Sequence, residues 1–209
     1  MRRPALSISV VMLTLAITRG ALADETADAF RSYVAAIRAG SVDDALKFVE
    51  PVPESCRTLL RECIEAAVAV EKVKTEMSAQ MGPPKHHVEG WNIGQHSDDV
   101  LKTLQGIVDG DTARLVAKDP ANPKTDIDVG FMVRSQGKWV VAAATALAID
   151  PPAKFVEPPQ EERDAFSKLA AFTTSAAKTV LTRLQKKEFK SPVEVQDALA
   201  QELLRAGSK

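Results

Sequence analysis

LQGIVDGDTARLVAKDPANPKTDIDVGFMVRSQGKWVVAAA, Leu104 to Ala144, is the stretch on which the fold class turns. It contains four short runs rich in apolar and β-branched residues: Leu104 to Val108, Ala113 to Ala117, Ile127 to Val133, and Trp139 to Ala143. Between them lie Asp109-Gly110-Asp111, the Pro-containing segment 119–123, and Ser135-Gln136-Gly137-Lys138. Turn residues between strand-like runs describe an antiparallel meander, with Gly110 and Gln136-Gly137 supplying the positive-φ positions that tight hairpins need.

Helical patterns flank the meander. On its N-terminal side Phe30, Tyr33, Val34 and Ile37 recur at i, i+3, i+4, i+7, with acids ahead of them and Gly40 behind, as a short amphipathic helix requires. Val42, Ala45, Leu46 and Val49 repeat the spacing after Ser41, a candidate cap, and Pro51 and Pro53 stop that second helix. From Glu54 to Met81 there is neither Gly nor Pro. Cys56, Leu60, Cys63, Ala67, Val70, Met77 and Met81 form one apolar seam there, interrupted at Lys74, which reads as a core-facing stripe. Beyond the meander, Pro151, Pro152, Pro158 and Pro159 mark a linker. Phe166, Leu169, Phe172 or Thr173, Ala176 or Ala177, Val180 and Leu184 then predict a long helix. Ser191-Pro192-Val193-Glu194 is a capping box that opens a last one, running to about Arg205. Neither of these two helices buries its stripe alone, so they are expected to fold back on the body as a hairpin. The expected organisation is α+β, with a main domain over residues 24–150, a linker over 151–159 and a two-helix extension over 160–209.

Residues 1–23 have the make-up of a secretory signal peptide. Arg2 and Arg3 precede a 13-residue apolar run from Ala5 to Ile17, and Ala21-Leu22-Ala23 offers an A-x-A cleavage site before Asp24-Glu25. The run is short of the ~20 residues that span a bilayer. Cleavage after Ala23 and a secreted or periplasmic product, without membrane insertion, are the expectation. Loss of the leader removes three of 27 basic residues and none of the 28 acids, leaving 24 against 28 and a net charge of −4. With that balance and no basic stripe, nucleic acid is excluded as a partner. An oxidising compartment invites Cys56 and Cys63 to pair. On one continuous helix, however, seven residues separate their Cα atoms by ~10 Å, beyond disulfide reach. They are free, bonded between chains, or on a helix that breaks between them.

Few residues carry a chemical signal. His86, His87 and His96 share a segment with Asp98 and Asp99, the donor types of a zinc site. Adjacent His86 and His87 would point apart in a strand, so no metal is expected. Trp139 is expected to fill the interior behind the sheet, and Trp91 to line its mouth or cover the core. No nucleophile elbow, phosphate loop, dinucleotide fingerprint or HExxH is present, and no cofactor is expected.

RSYVAAIRAGSVDDALKF, Arg31 to Phe48, resembles the first two helices of the NTF2-like superfamily, whose members include ketosteroid isomerases and SnoaL-like cyclases. DGDTARLVA, Asp109 to Ala117, and QGKWVVAAA, Gln136 to Ala144, resemble its central hairpin and penultimate strand. The similarity spans roughly residues 26 to 149. The closing KKEFKSPVEVQDAL, Lys186 to Leu199, is similar to tails of exported bacterial proteins of unassigned function. The resemblance implies a cone of curved antiparallel sheet closed by helices, lined by Tyr33, Trp91 and Trp139. It also places Tyr33, the only tyrosine, where the isomerases carry a phenol that hydrogen-bonds a developing enolate. The carboxylate base those enzymes need has no counterpart, because Pro51-Val52-Pro53 leads straight into the third helix. Tyr33 is therefore expected to be a packed helix-face residue with its hydroxyl near the surface. The functional expectation is a noncatalytic module for a protein partner or a small apolar ligand. An isomerase- or cyclase-type enzyme and a structural homodimer are the alternatives.

Overall fold

The computed structural model describes residues 24–82, 97–147 and 155–207. The expected leader, His86, His87, Trp91, His96 and the start of the Pro-rich linker lie outside the described residues. The architecture is α+β. A four-stranded antiparallel sheet in the order β1-β2-β3-β4 is formed by Gln105–Asp109, Thr112–Lys118, Asp126–Ser135 and Lys138–Val141. Helical residues 24–38 (α1) and the helices Val42–Leu46 (α2), Glu54–Met81 (α3) and Asp98–Lys102 (α4) precede it. Ala143–Ala146 (α5), Gln160–Gln185 (α6) and Pro192–Gly207 (α7) follow.

The two tight hairpins, β1–β2 and β3–β4, rest on the expected turn chemistry. In the first, Gly110 holds φ +60° between Asp109 and Thr112, and in the second Gln136 and Gly137 hold +50° and +80°. Ser41 caps α2 by accepting the Asp44 N–H at 3.3 Å. At α7 the box works in both directions: Ser191 Oγ accepts the Glu194 N–H at 3.3 Å, and Glu194 Oε2 accepts the Lys190 N–H at 2.8 Å.

Several details differ from the sequence reading: α2 ends at Leu46, ahead of the prolines, with Val49 bridging to Val141 instead of continuing the helix, and the short helix α4 stands before the sheet. The fourth strand stops at Val141 rather than Ala143. The Ala142 N–H bonds the Phe131 carbonyl at 2.9 Å, and the alanine-rich run then coils into α5, whose first N–H, that of Ala143, is held by Glu50 Oε2 at 3.2 Å. Alanine has the best helix propensity, and a carboxylate at the helix start adds to it. On α6 the buried stripe is Ala170, Thr173, Ala176, Ala177, Val180 and Leu184, while Leu169 is 52% exposed. Ala170 in place of a larger residue on that stripe leaves room for a neighbouring helix.

That neighbour is α3. Ser55 donates to Glu157 at 2.7 Å, Ser167 to Glu62 at 2.5 Å, and the Gln80 amide to the Leu184 carbonyl at 3.0 Å. Partner numbers rise together along both chains, so α3 and α6 run parallel. A parallel pair needs a long return connection, and the sheet with its flanking helices supplies it. The edge of β4 is also occupied: Val141 N–H donates to Phe48 O at 2.7 Å and Glu50 N–H to Val141 O at 2.8 Å.

Helix α3 serves two apolar clusters. Its first half, from Cys56 to Val68, packs with α1, Val49, the inner face of the sheet and α5 around Phe30, Ile37, Leu115 and Met132. Its second half contributes Ala69, Val70, Val73 and Met77 to a separate cluster with α6 and α7 around Leu184, Val195 and Leu199. Each fully buried Leu, Ile, Phe or Met contributes about 1.5–3 kcal/mol relative to exposure, so both clusters are needed to hold the helices in place.

Candidate functional site

Tyr33 stands on the inner face of α1, placed there by the same spacing that buries Phe30, Val34 and Ile37. Its ring packs against Phe30 with centroids 5.9 Å apart and planes at 47°, a tilted aromatic pair. Only 2% of the residue is exposed, so the expected hydroxyl near the surface is corrected to a buried one. Burial, and secondarily the Cys63 thiol, hold the phenol well above its ordinary pKa. It remains a neutral phenol and a poor acid throughout the physiological range.

Trp139 enters the same cluster from β4, where it pairs across the ladder with Arg134. It is 7% exposed, and its indole N–H has no hydrogen-bond partner. A buried donor left unpaired costs about 1–3 kcal/mol, so the ring is held there by its apolar contacts in spite of its polar edge. Tyr33 and Trp139 therefore both belong to a contiguous apolar filling behind the sheet, which includes Phe30, Ile64, Leu115 and Met132.

The thiols lie on the same side of the fold. Cys56 and Cys63 are both free, and the unbroken α3 that carries them keeps them from bonding to each other, as the helical spacing predicts. Cys56 is buried, and the Cys63 thiol is pushed up to about 11 by burial and by the nearby Glu62 carboxylate. Such a thiol is protonated and a weak nucleophile near neutrality.

A carboxylate does follow α2, although the sequence reading passed over it. Glu50 is half-buried in the segment that pairs with β4, and its side chain is engaged by the Ala143 N–H. Nothing in the local sequence marks it, because its partner lies 93 residues away. The role it performs is to anchor α5.

Of the segment that carries the zinc-donor residue types, Asp98 and Asp99 are described. Both are exposed in the first turn of α4 and committed to cations, Asp98 to Arg38 at 2.6 Å and Asp99 to Lys102 at 3.2 Å. The Arg38 guanidinium holds the Asp98 carboxyl below its ordinary pKa. Among the described residues no group of three or more His, Cys, Asp or Glu is placed to hold a metal ion.

An open groove of about 330 Å³ lies instead at one end of the sheet, between Lys102 and Thr103 at the end of α4 and Gln105, Val116, Ala117, Lys118 and Asp126 on the first three strands. Its charges are matched internally, with Lys118 and Asp126 2.7 Å apart and Lys102 on Asp99. Thr103 Oγ1 already accepts the Lys118 N–H at 3.0 Å. The groove contains neither Tyr33 nor Trp139. Among the described residues no helix is long and apolar enough to cross a membrane.

No protein-family model matches the chain, and neither a curated protein nor a solved structure is significantly similar to it.

Proposed function

We propose that this chain is an exported, noncatalytic module built on an NTF2-like plan, with helices closing the inner face of a curved antiparallel sheet, and that it acts through its surface on a protein partner. Export rests on the leader-like residues 1–23 and a secreted or periplasmic destination follows from it. The NTF2-like plan is supported by the order of helix, short helix, long helix and meander, and by the placement of α1 against the inner sheet face.

One observation carries the noncatalytic reading. Where an enzyme of this plan would need an open interior with a phenol donor and a carboxylate converging on substrate, the described residues pack that side of the sheet with apolar side chains and Tyr33 is buried among them. A preorganised donor works by aiming at the position where charge develops, and Tyr33 is instead buried in the apolar cluster with its acidity suppressed. The filled interior also favours a protein partner over a small apolar ligand, since ligand sites are concave and largely preformed.

The test is Tyr33→Phe in the purified mature protein, assayed against steroid-like and polyketide-like ketones. The expected result is no turnover by either protein and a stability change no larger than about 1 kcal/mol, the scale of one ordinary hydrogen bond. Turnover by the parent that drops ~100-fold or more in the variant would overturn the reading, because that is the worth of a single oxyanion donor.

A further inference from the structure

We draw no further inference here: the strongest candidate, the outer face of the sheet, where Val116, Phe131, Val133 and Val140 lie around the Arg114–Asp128 ion pair and half-exposed Ile107, has nothing in the structure to show what covers it.

Discussion

Replacing Gly130 by alanine is expected to be among the most damaging single-methyl changes in the protein. Gly130 lies in β3 opposite Leu115, beside the irregularity in the ladder between Leu115 and Val116, with φ at +153°. A Cβ built there falls 2.5 Å from Thr145 Cγ2, 3.2 Å from Thr145 Oγ1 and 3.5 Å from Thr145 Cβ. Carbon atoms prefer ~3.5–4.0 Å, so the first of these contacts cannot persist. Thr145 cannot simply swing away. It is β-branched, and its Oγ1 accepts the Phe131 N–H at 2.9 Å. Rotation would strip that N–H of its partner, at about 1–3 kcal/mol. Shifting α5 instead would disturb the buried Ala143 and Ala146. The backbone conformation adds about 1–3 kcal/mol for a residue with a Cβ. Together these amount to about 2–6 kcal/mol, a large part of the ~5–15 kcal/mol that holds a typical domain.

Urea denaturation of Gly130→Ala, Thr145→Ser and the double variant would measure it. Serine keeps the hydroxyl and removes Cγ2, so the double variant is expected to recover the steric share, about 1–3 kcal/mol, and to retain the backbone share. A cost for Gly130→Ala below ~1 kcal/mol, or strict additivity of the two substitutions, would refute the close approach of α5 to β3 as the reason for glycine.

Three further outcomes are expected. Gln136→Asn should raise stability by about 0.5–1 kcal/mol, because both turn residues have positive φ and Asn-Gly suits that turn better than Gln-Gly; an unchanged or lower melting temperature would contradict the turn assignment. Leu184→Ala should cost about 2–5 kcal/mol. Hydrogen exchange should show the loss concentrated in α6, α7 and the second half of α3, and equal loss in the sheet would mean that the two apolar clusters open as one unit. Alkylation of Cys63 at pH 8 should be ~100-fold slower in the folded protein than in the unfolded one, given a thiol raised from 9.0 to about 11. Its raised value favours the folded state below the unfolded thiol's pKa and loses that advantage as pH climbs toward 11, so comparable alkylation rates would show the thiol to be exposed.

Local signals carried much of the architecture. The stripe Phe30, Tyr33, Val34, Ile37 is legible because a helix of 3.6 residues per turn brings those positions to one face, and all four are buried. The Gly110 and Gln136-Gly137 turns and the Ser41 and Ser191 caps are legible for a related reason: their chemistry involves residues no more than four apart. The unbroken helix from Glu54 to Met81 follows from the absence of Gly and Pro, and the absence of a Cys56–Cys63 bond follows from the helix.

What periodicity leaves open is the identity of the surface that a buried stripe meets, and tertiary structure alone decides that. The seam of α3 has no mark where it passes from one apolar cluster to the other, between Val68 and Ala69. The parallel run of α3 and α6 rests on contacts such as Ser55 to Glu157 and Gln80 to Leu184, more than 100 residues apart in sequence. Alanines after Val141 could have prolonged a strand; the Glu50 carboxylate, 93 residues away, instead holds the first N–H of a helix. Tyr33 met the same limit. Its spacing put it on the inner face of α1, but whether that face bordered a cavity or a packed core depended on Trp139, Leu115 and Met132, brought against it from the sheet by the closing of the fold. Sequence spacing specifies which side chains leave water, and only the assembled chain specifies what they meet when they do.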